Sequence, residues 1–234
     1  MFESAATGLP TLDLSKIVLA IGALGTAAYG VVDVSKGFGG GISNRGFGDI
    51  KKVISQLIPA SSGPGAESAL SLTSVLVTLR SNWLNGMALP DQKAVAKALI
   101  KLNLTAASAS VMAGATGVNA GILSSVAVKL STGEPLSQPE TDVYGRFDLL
   151  LSALLDQGYQ RADQRYRNSA KLLAVPVAVA LALLGAWAIS SCLTHSDIWR
   201  AVAGGLLATP LAPLAKDVSS ALQAGAKVAQ SWKK

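Results

Sequence analysis

A single cysteine, Cys192, and a single histidine, His195, stand in a chain of 234 residues. That scarcity excludes an intrachain disulfide framework and any cysteine-rich metal site, because a structural metal wants three or four ligands. Charge is scarce as well, at 15% of residues, where a soluble domain of this size carries about a quarter. What is abundant is small and apolar: half the residues are hydrophobic, 23 are glycine, and the mean hydropathy is +0.42.

The missing charge is concentrated. No Asp, Glu, Lys or Arg falls between Lys16 and Asp33, between Lys171 and Asp197, or between Arg200 and Lys216. A hydrocarbon layer about 30 Å thick needs roughly 20 apolar residues at 1.5 Å each. The run "LLAVPVAVALALLGAWAISSCL" (172–193) meets this. The runs 17–32 and 201–215 are shorter and span if Lys16, Arg200 and Lys216 reach their charges to the headgroups. The expectation is an all-α integral membrane protein with three transmembrane helices and a helical extramembrane domain between the first and second. Its parts are an arm and first span (1–36), a helical domain (37–170), and a hairpin of spans with a basic tail (171–234). The arm carries Glu3 and Asp13 and lacks the basic region of a signal peptide, so the first span reads as a retained anchor.

Orientation follows from the basic residues. The stretch 35–171 carries 14 basic and 9 acidic residues, and the tail from Lys216 has four lysines against Asp217. Cytoplasmic loops are enriched in Lys and Arg. The middle region and C-terminus are therefore expected inside and the N-terminus outside, in a bacterial inner membrane.

Helical patterning covers most of the middle. Ile50, Val53, Ile54, Leu57 and Ile58 share a face in 49–58, with Asp49 as N-cap. Further helices are expected over 66–87, stopped at Asn85-Gly86, and over 89–104, where Lys93, Lys97 and Lys101 recur every fourth residue. The uncharged stretch 102–128 reads as one buried helix, too rich in Ser, Thr, Asn and Gly to be a good span. A breaker-rich link (132–140) precedes a helix with no break before Pro176, which runs from about residue 140 straight into the second span. No run alternates with period two, so no sheet is expected.

Small residues recur every fourth position in all three apolar runs: Gly22, Thr26 and Gly30; Ala178, Ala182 and Ala186; Gly205 and Thr209. Helices in lipid associate where small residues let backbones approach closely, so these eight are the expected packing seam.

The stretch "GFGGGISNRGFGD" (37–49) looks like a phosphate grip and fails as one. A dinucleotide fingerprint would need glycine where Ile42 stands, and a phosphate loop would need lysine where Phe47 stands. The better reading is an elbow at the membrane surface, with Phe38 and Phe47 at the headgroup boundary and Lys36 and Arg45 facing lipid phosphates. Arg161, Arg165, Arg167 and Lys171 precede the second span and suit anionic lipid in the same way. No cofactor, metal or nucleic acid is expected, and no catalytic constellation is apparent.

Span, long cytoplasmic loop, hairpin and basic tail together resemble the proton-driven stator proteins in topology. The resemblance implies an ion-coupled or channel subunit of a larger membrane complex, with Thr26, Ser190 and Thr209 along a polar path. No ionisable residue lies inside any span, however, and such residues ordinarily mark ion pathways. The leading expectation is thus a non-enzymatic membrane protein that assembles with its own copies, and with other membrane subunits in the alternative, as a scaffold, ring or pore.

Overall fold

The computed structural model describes residues 14–59, 70–190 and 192–231, and among these every regular element is helical. Eight α-helices follow in order: α1 (Leu14–Val34), α2 (Ser43–Leu57), α3 (Leu72–Leu84), α4 (Leu89–Leu102), α5 (Ala109–Thr116), α6 (Ala120–Thr132), α7 (Gln138–Ile189) and α8 (His195–Ser231). They form two compact units, Lys36–Arg167 in one, and Met1–Ser35 with Asn168–Lys234 in the other.

The Lys36–Arg167 unit is a helical bundle with its own core. Ile50, Ile54 and Leu57 of α2 pack with Leu79, Ile100, Met112, Leu123, Phe147, Leu151 and Tyr159. These side chains sit at helical three- and four-residue spacing, so each helix buries one stripe. Each fully buried Leu, Ile or Phe is worth about 1.5–3 kcal/mol over an exposed one.

Several boundaries differ from the sequence expectation. Helix α2 begins at Ser43 rather than after Asp49, so Asp49 is not an N-cap. It lies inside the helix and pairs with Arg165 Nε at 3.1 Å. Helix α3 is capped by Ser71, whose hydroxyl accepts the Ser74 N–H at 3.1 Å. The expected start over 66–69 lies outside the described residues, and the stop is Asn85-Gly86, with Gly86 at φ +71°.

The single helix expected over 102–128 is two helices. Gly117 adopts φ +71° and terminates α5, and Asn119 Oδ1 accepts the Ile122 N–H at 3.0 Å to start α6. At 8 and 13 residues, both are far too short to cross a membrane.

Helix α7 is continuous for 52 residues through Pro176. Its start is a cap that the sequence carries as Ser137-Gln138-Pro139-Glu140. Glu140 reaches back to accept the Ser137 N–H at 2.7 Å, half of a capping box. The same carboxylate takes Lys129 Nζ at 2.7 Å and the Ser125 hydroxyl at 2.6 Å, tying α6 to α7. The Lys129 contact, then the Ser125 and Ser137 hydrogen bonds, lower the Glu140 pKa from the ordinary 4.5 to about 2. A depressed carboxylate pKa contributes stability above its unfolded value and loses it as pH falls toward the folded value. The unfolding midpoint of the full chain should therefore drop as pH falls from about 4.5 to about 2. A Glu140→Gln chain, measured by circular dichroism, should start lower and lose less across that window.

Among the described residues, two helices are long and apolar enough to cross a membrane: α1 over Lys16–Val34, and α7 by its apolar C-terminal part. The apolar run of α8 spans residues 201–215.

Candidate functional site

The distinctive surface of the molecule is the unit that α1, the C-terminal part of α7 and α8 build together. Its interior is made of the smallest side chains. Gly22, Gly25 and Ala28 of α1 are buried, as are Ala174 and Ala178 of α7 and Ala201, Gly205, Ala208 and Ala212 of α8. The backbones are correspondingly close. A Cβ built on Gly25 would lie 2.1 Å from the Ala208 carbonyl oxygen, and one on Gly205 would lie 2.5 Å from Val179 Cα. The exterior is the reverse: Leu172, Leu184, Trp187, Ile189, Leu206 and Leu207 are each more than half exposed. Water would penalise that arrangement, since large exposed apolar patches are rare on monomeric soluble domains. Hydrocarbon would not, because lipid-embedded helices gain chiefly from close packing of small residues.

Within the chain, the packing of α1 uses only one residue of the seam expected there. Its buried face steps through Gly22, Gly25, Ala28 and Val32 rather than Gly22, Thr26 and Gly30. Thr26 is exposed and donates its hydroxyl to the Gly22 carbonyl at 3.0 Å, and Gly30 has open space around it. On α7, Ala178 is fully buried within the chain, whereas Ala182 and Ala186 are half-buried. On α8, Gly205 packs tightly, and Thr209 places a buried hydroxyl that no partner within reach satisfies.

Beside Thr209 runs a groove of about 630 Å³ whose polar lining is Tyr29, Asn168, Lys171 and Thr209. Pro210 and Pro213 lie along it and interrupt the hydrogen-bond ladder of α8, because neither can donate to the carbonyl one turn before it.

No family model, curated protein or solved structure matches this chain.

The elbow is sharper than a surface hinge. Gly39, Gly40 and Gly41 all have positive φ (68°, 95° and 45°), a conformation that side-chain-bearing residues rarely adopt. Arg80 closes it by donating to the Gly39 carbonyl at 2.8 Å and to Asn44 Oδ1 at 3.0 Å. Phe38 is 81% exposed, but Phe47 is only 7% exposed and belongs to the bundle core. The headgroup placement of Phe47 is therefore corrected: α2 starts early enough to turn it inward, one turn before Ile50. Arg45 is exposed, and the side chain of Lys36 lies outside the described residues.

Of the basic residues ahead of the second span, Arg161 and Lys171 are exposed, while Arg165 pairs with Asp49 and Arg167 with Asp163 at 2.8 Å. The two paired arginines are still more than half exposed and can also meet a headgroup. The lysine row of α4 faces α7: Lys93 pairs with Asp156, and Lys97 and Lys101 both pair with Asp148. Burial opposes ionisation of Asp148, yet the two lysines hold its pKa below the ordinary value. These lysines therefore serve the bundle. His195 accepts the indole N–H of Trp199 at 3.2 Å, and no group of three or more metal-ligating side chains forms among the described residues.

Proposed function

We propose that the chain is a non-enzymatic integral membrane protein that self-assembles, acting as a scaffold, ring or pore. The observation that carries this reading is the inverted side-chain distribution of the three-helix unit, with Gly and Ala inside and Leu, Ile and Trp outside. That distribution also supports α8 as a third span. Its 15 apolar residues are flanked by Arg200 and Lys216, whose long side chains can reach the headgroups. In this reading the bundle and C-terminus face the cytoplasm, and the N-terminus and the turn before α8 face outward, as the basic residues direct.

Self-assembly rests on what the internal packing leaves uncovered. Ala182 and Ala186 are half-buried, and Gly185 beside them has nothing within 4 Å. A second copy can approach closely there. In the channel alternative Thr26, exposed within a single copy and donating its hydroxyl to the Gly22 carbonyl, would line the path only between copies.

The test uses the full chain in mild detergent. Native mass spectrometry should give a multimer that Ala182→Leu reduces in size, while Ala180→Leu on the exposed face leaves it intact. A monomeric mass for the unsubstituted chain sinks the assembly reading. Orientation is read in intact cells on a Cys192→Ser background, where Ser196→Cys should react with an impermeant thiol reagent and Ser137→Cys should not.

A further inference from the structure

We infer that the groove beside Thr209 is a binding site for one acidic phospholipid, an inference that rests on the membrane reading above. The site is amphiphilic in the right sense. Lys171 supplies a cation, and Tyr29, Asn168 and Thr209 supply neutral donors, while no carboxylate among the described residues lines the groove. A donor-rich, cationic mouth suits a phosphodiester. Leu172, Val175, Pro210 and Pro213 form the rest of the lining, an apolar trough for an acyl chain. A volume of about 630 Å³ lies well within the range of sites that take a drug-sized ligand.

Thr209 provides the second, independent observation. A helical threonine ordinarily satisfies its hydroxyl on the carbonyl four residues back, as Thr26 does on Gly22. The Thr209 hydroxyl is buried and has no partner. A buried polar group in a membrane interior without a partner costs free energy, and a small rotation of the Thr209 side chain toward the groove would let a ligand oxygen satisfy it. Position agrees with the chemistry. Lys171 ends the charged part of α7, and the uncharged run begins at the next residue, so the mouth lies where headgroup phosphates lie. The phosphate meets Lys171 and Asn168, an ester or glycerol oxygen meets Thr209, and one acyl chain follows Val175 along the two prolines.

The experiment is native mass spectrometry of the full chain with equal amounts of phosphatidylglycerol or phosphatidylcholine, with inorganic phosphate as a free-anion arm. Phosphatidylglycerol should be retained in preference to phosphatidylcholine. Lys171→Gln should weaken retention about fivefold, the equivalent of about 1 kcal/mol for a lysine beside an anionic surface, and Lys171→Arg should restore it. Val175→Trp should abolish retention by filling the trough, and Lys51→Gln, on an exposed face of α2, should change nothing. Equal retention of the two lipids overturns the proposal. So does equal behaviour of Lys171→Gln and Lys51→Gln, or displacement of the lipid by inorganic phosphate. Carbonate extraction of cell membranes separates the two failures. A chain that stays in the membrane but retains no acidic lipid sinks only the groove, and a chain released into solution sinks the membrane reading itself.

Discussion

Replacing Gly25 with leucine should unseat α1 from α8, whereas the same change at Gly30 should be silent. The reason is local and steric. Even the first carbon of a side chain at Gly25 would stand 2.1 Å from the Ala208 carbonyl oxygen and 3.0 Å from Ala212 Cβ. Neither neighbour can yield without moving a helix backbone. Forced overpacking costs about 1–3 kcal/mol in ordinary cores, and contact with backbone rather than a flexible side chain places Gly25→Leu at or above the top of that range. Insertion should survive, because leucine is at least as favourable as glycine at the bilayer centre. The expected result is a chain that reaches the membrane normally but unfolds at distinctly lower denaturant in detergent micelles. At Gly30 nothing lies within 4 Å, so leucine there only adds to the outer surface. Equal midpoints for the two variants would mean that α1 and α8 do not pack on the Gly25 face.

That pair of glycines also shows where the sequence was legible and where it was not. Stripes of small residues announced close packing, but α1 carries two of them. Gly22, Thr26 and Gly30 step by four, and Gly22, Gly25 and Ala28 step by three. Both spacings lie on one side of a helix, and only the partner helix decides between them. On α7, a continuous helix across the unit boundary could be read directly, since nothing between residue 140 and Pro176 interrupts it. Its cap was also present as Ser137-x-x-Glu140, yet the prolines and glycine nearby made that stretch look like a mere breaker. Likewise Gly117 and Asn119 are a helix stop and start in plain sight, hidden inside a run whose lack of charge suggested one element. The groove was not legible at all, because Tyr29, Lys171 and Thr209 are brought together only by the packing of three helices.

The start of α2 was missed for a different reason, and it yields the second large effect. Gly46 and Gly48 each disfavour a helix by about 1 kcal/mol relative to alanine, so "NRGFGD" reads as loop. The structure keeps Gly46 helical because a Cβ there would lie 2.6 Å from the Ala162 carbonyl and 2.8 Å from the Trp83 ring. Close approach of α7 and α3 to that point requires glycine, and the same helical turn swings Phe47 into the core. Phe47→Ala should therefore cost about 3–5 kcal/mol, the usual range for deleting a buried phenylalanine. Phe38→Ala removes a ring that is 81% exposed and should stay within about 0.5 kcal/mol. Denaturant unfolding of the full chain, followed by the fluorescence of Trp83, should separate the two variants by several kcal/mol, provided the other tryptophans are replaced by phenylalanine. Had both rings anchored the elbow in the headgroups, the two substitutions would cost alike and both would weaken membrane contact. A small and equal loss at both positions would restore that symmetrical picture and detach Phe47 from the core.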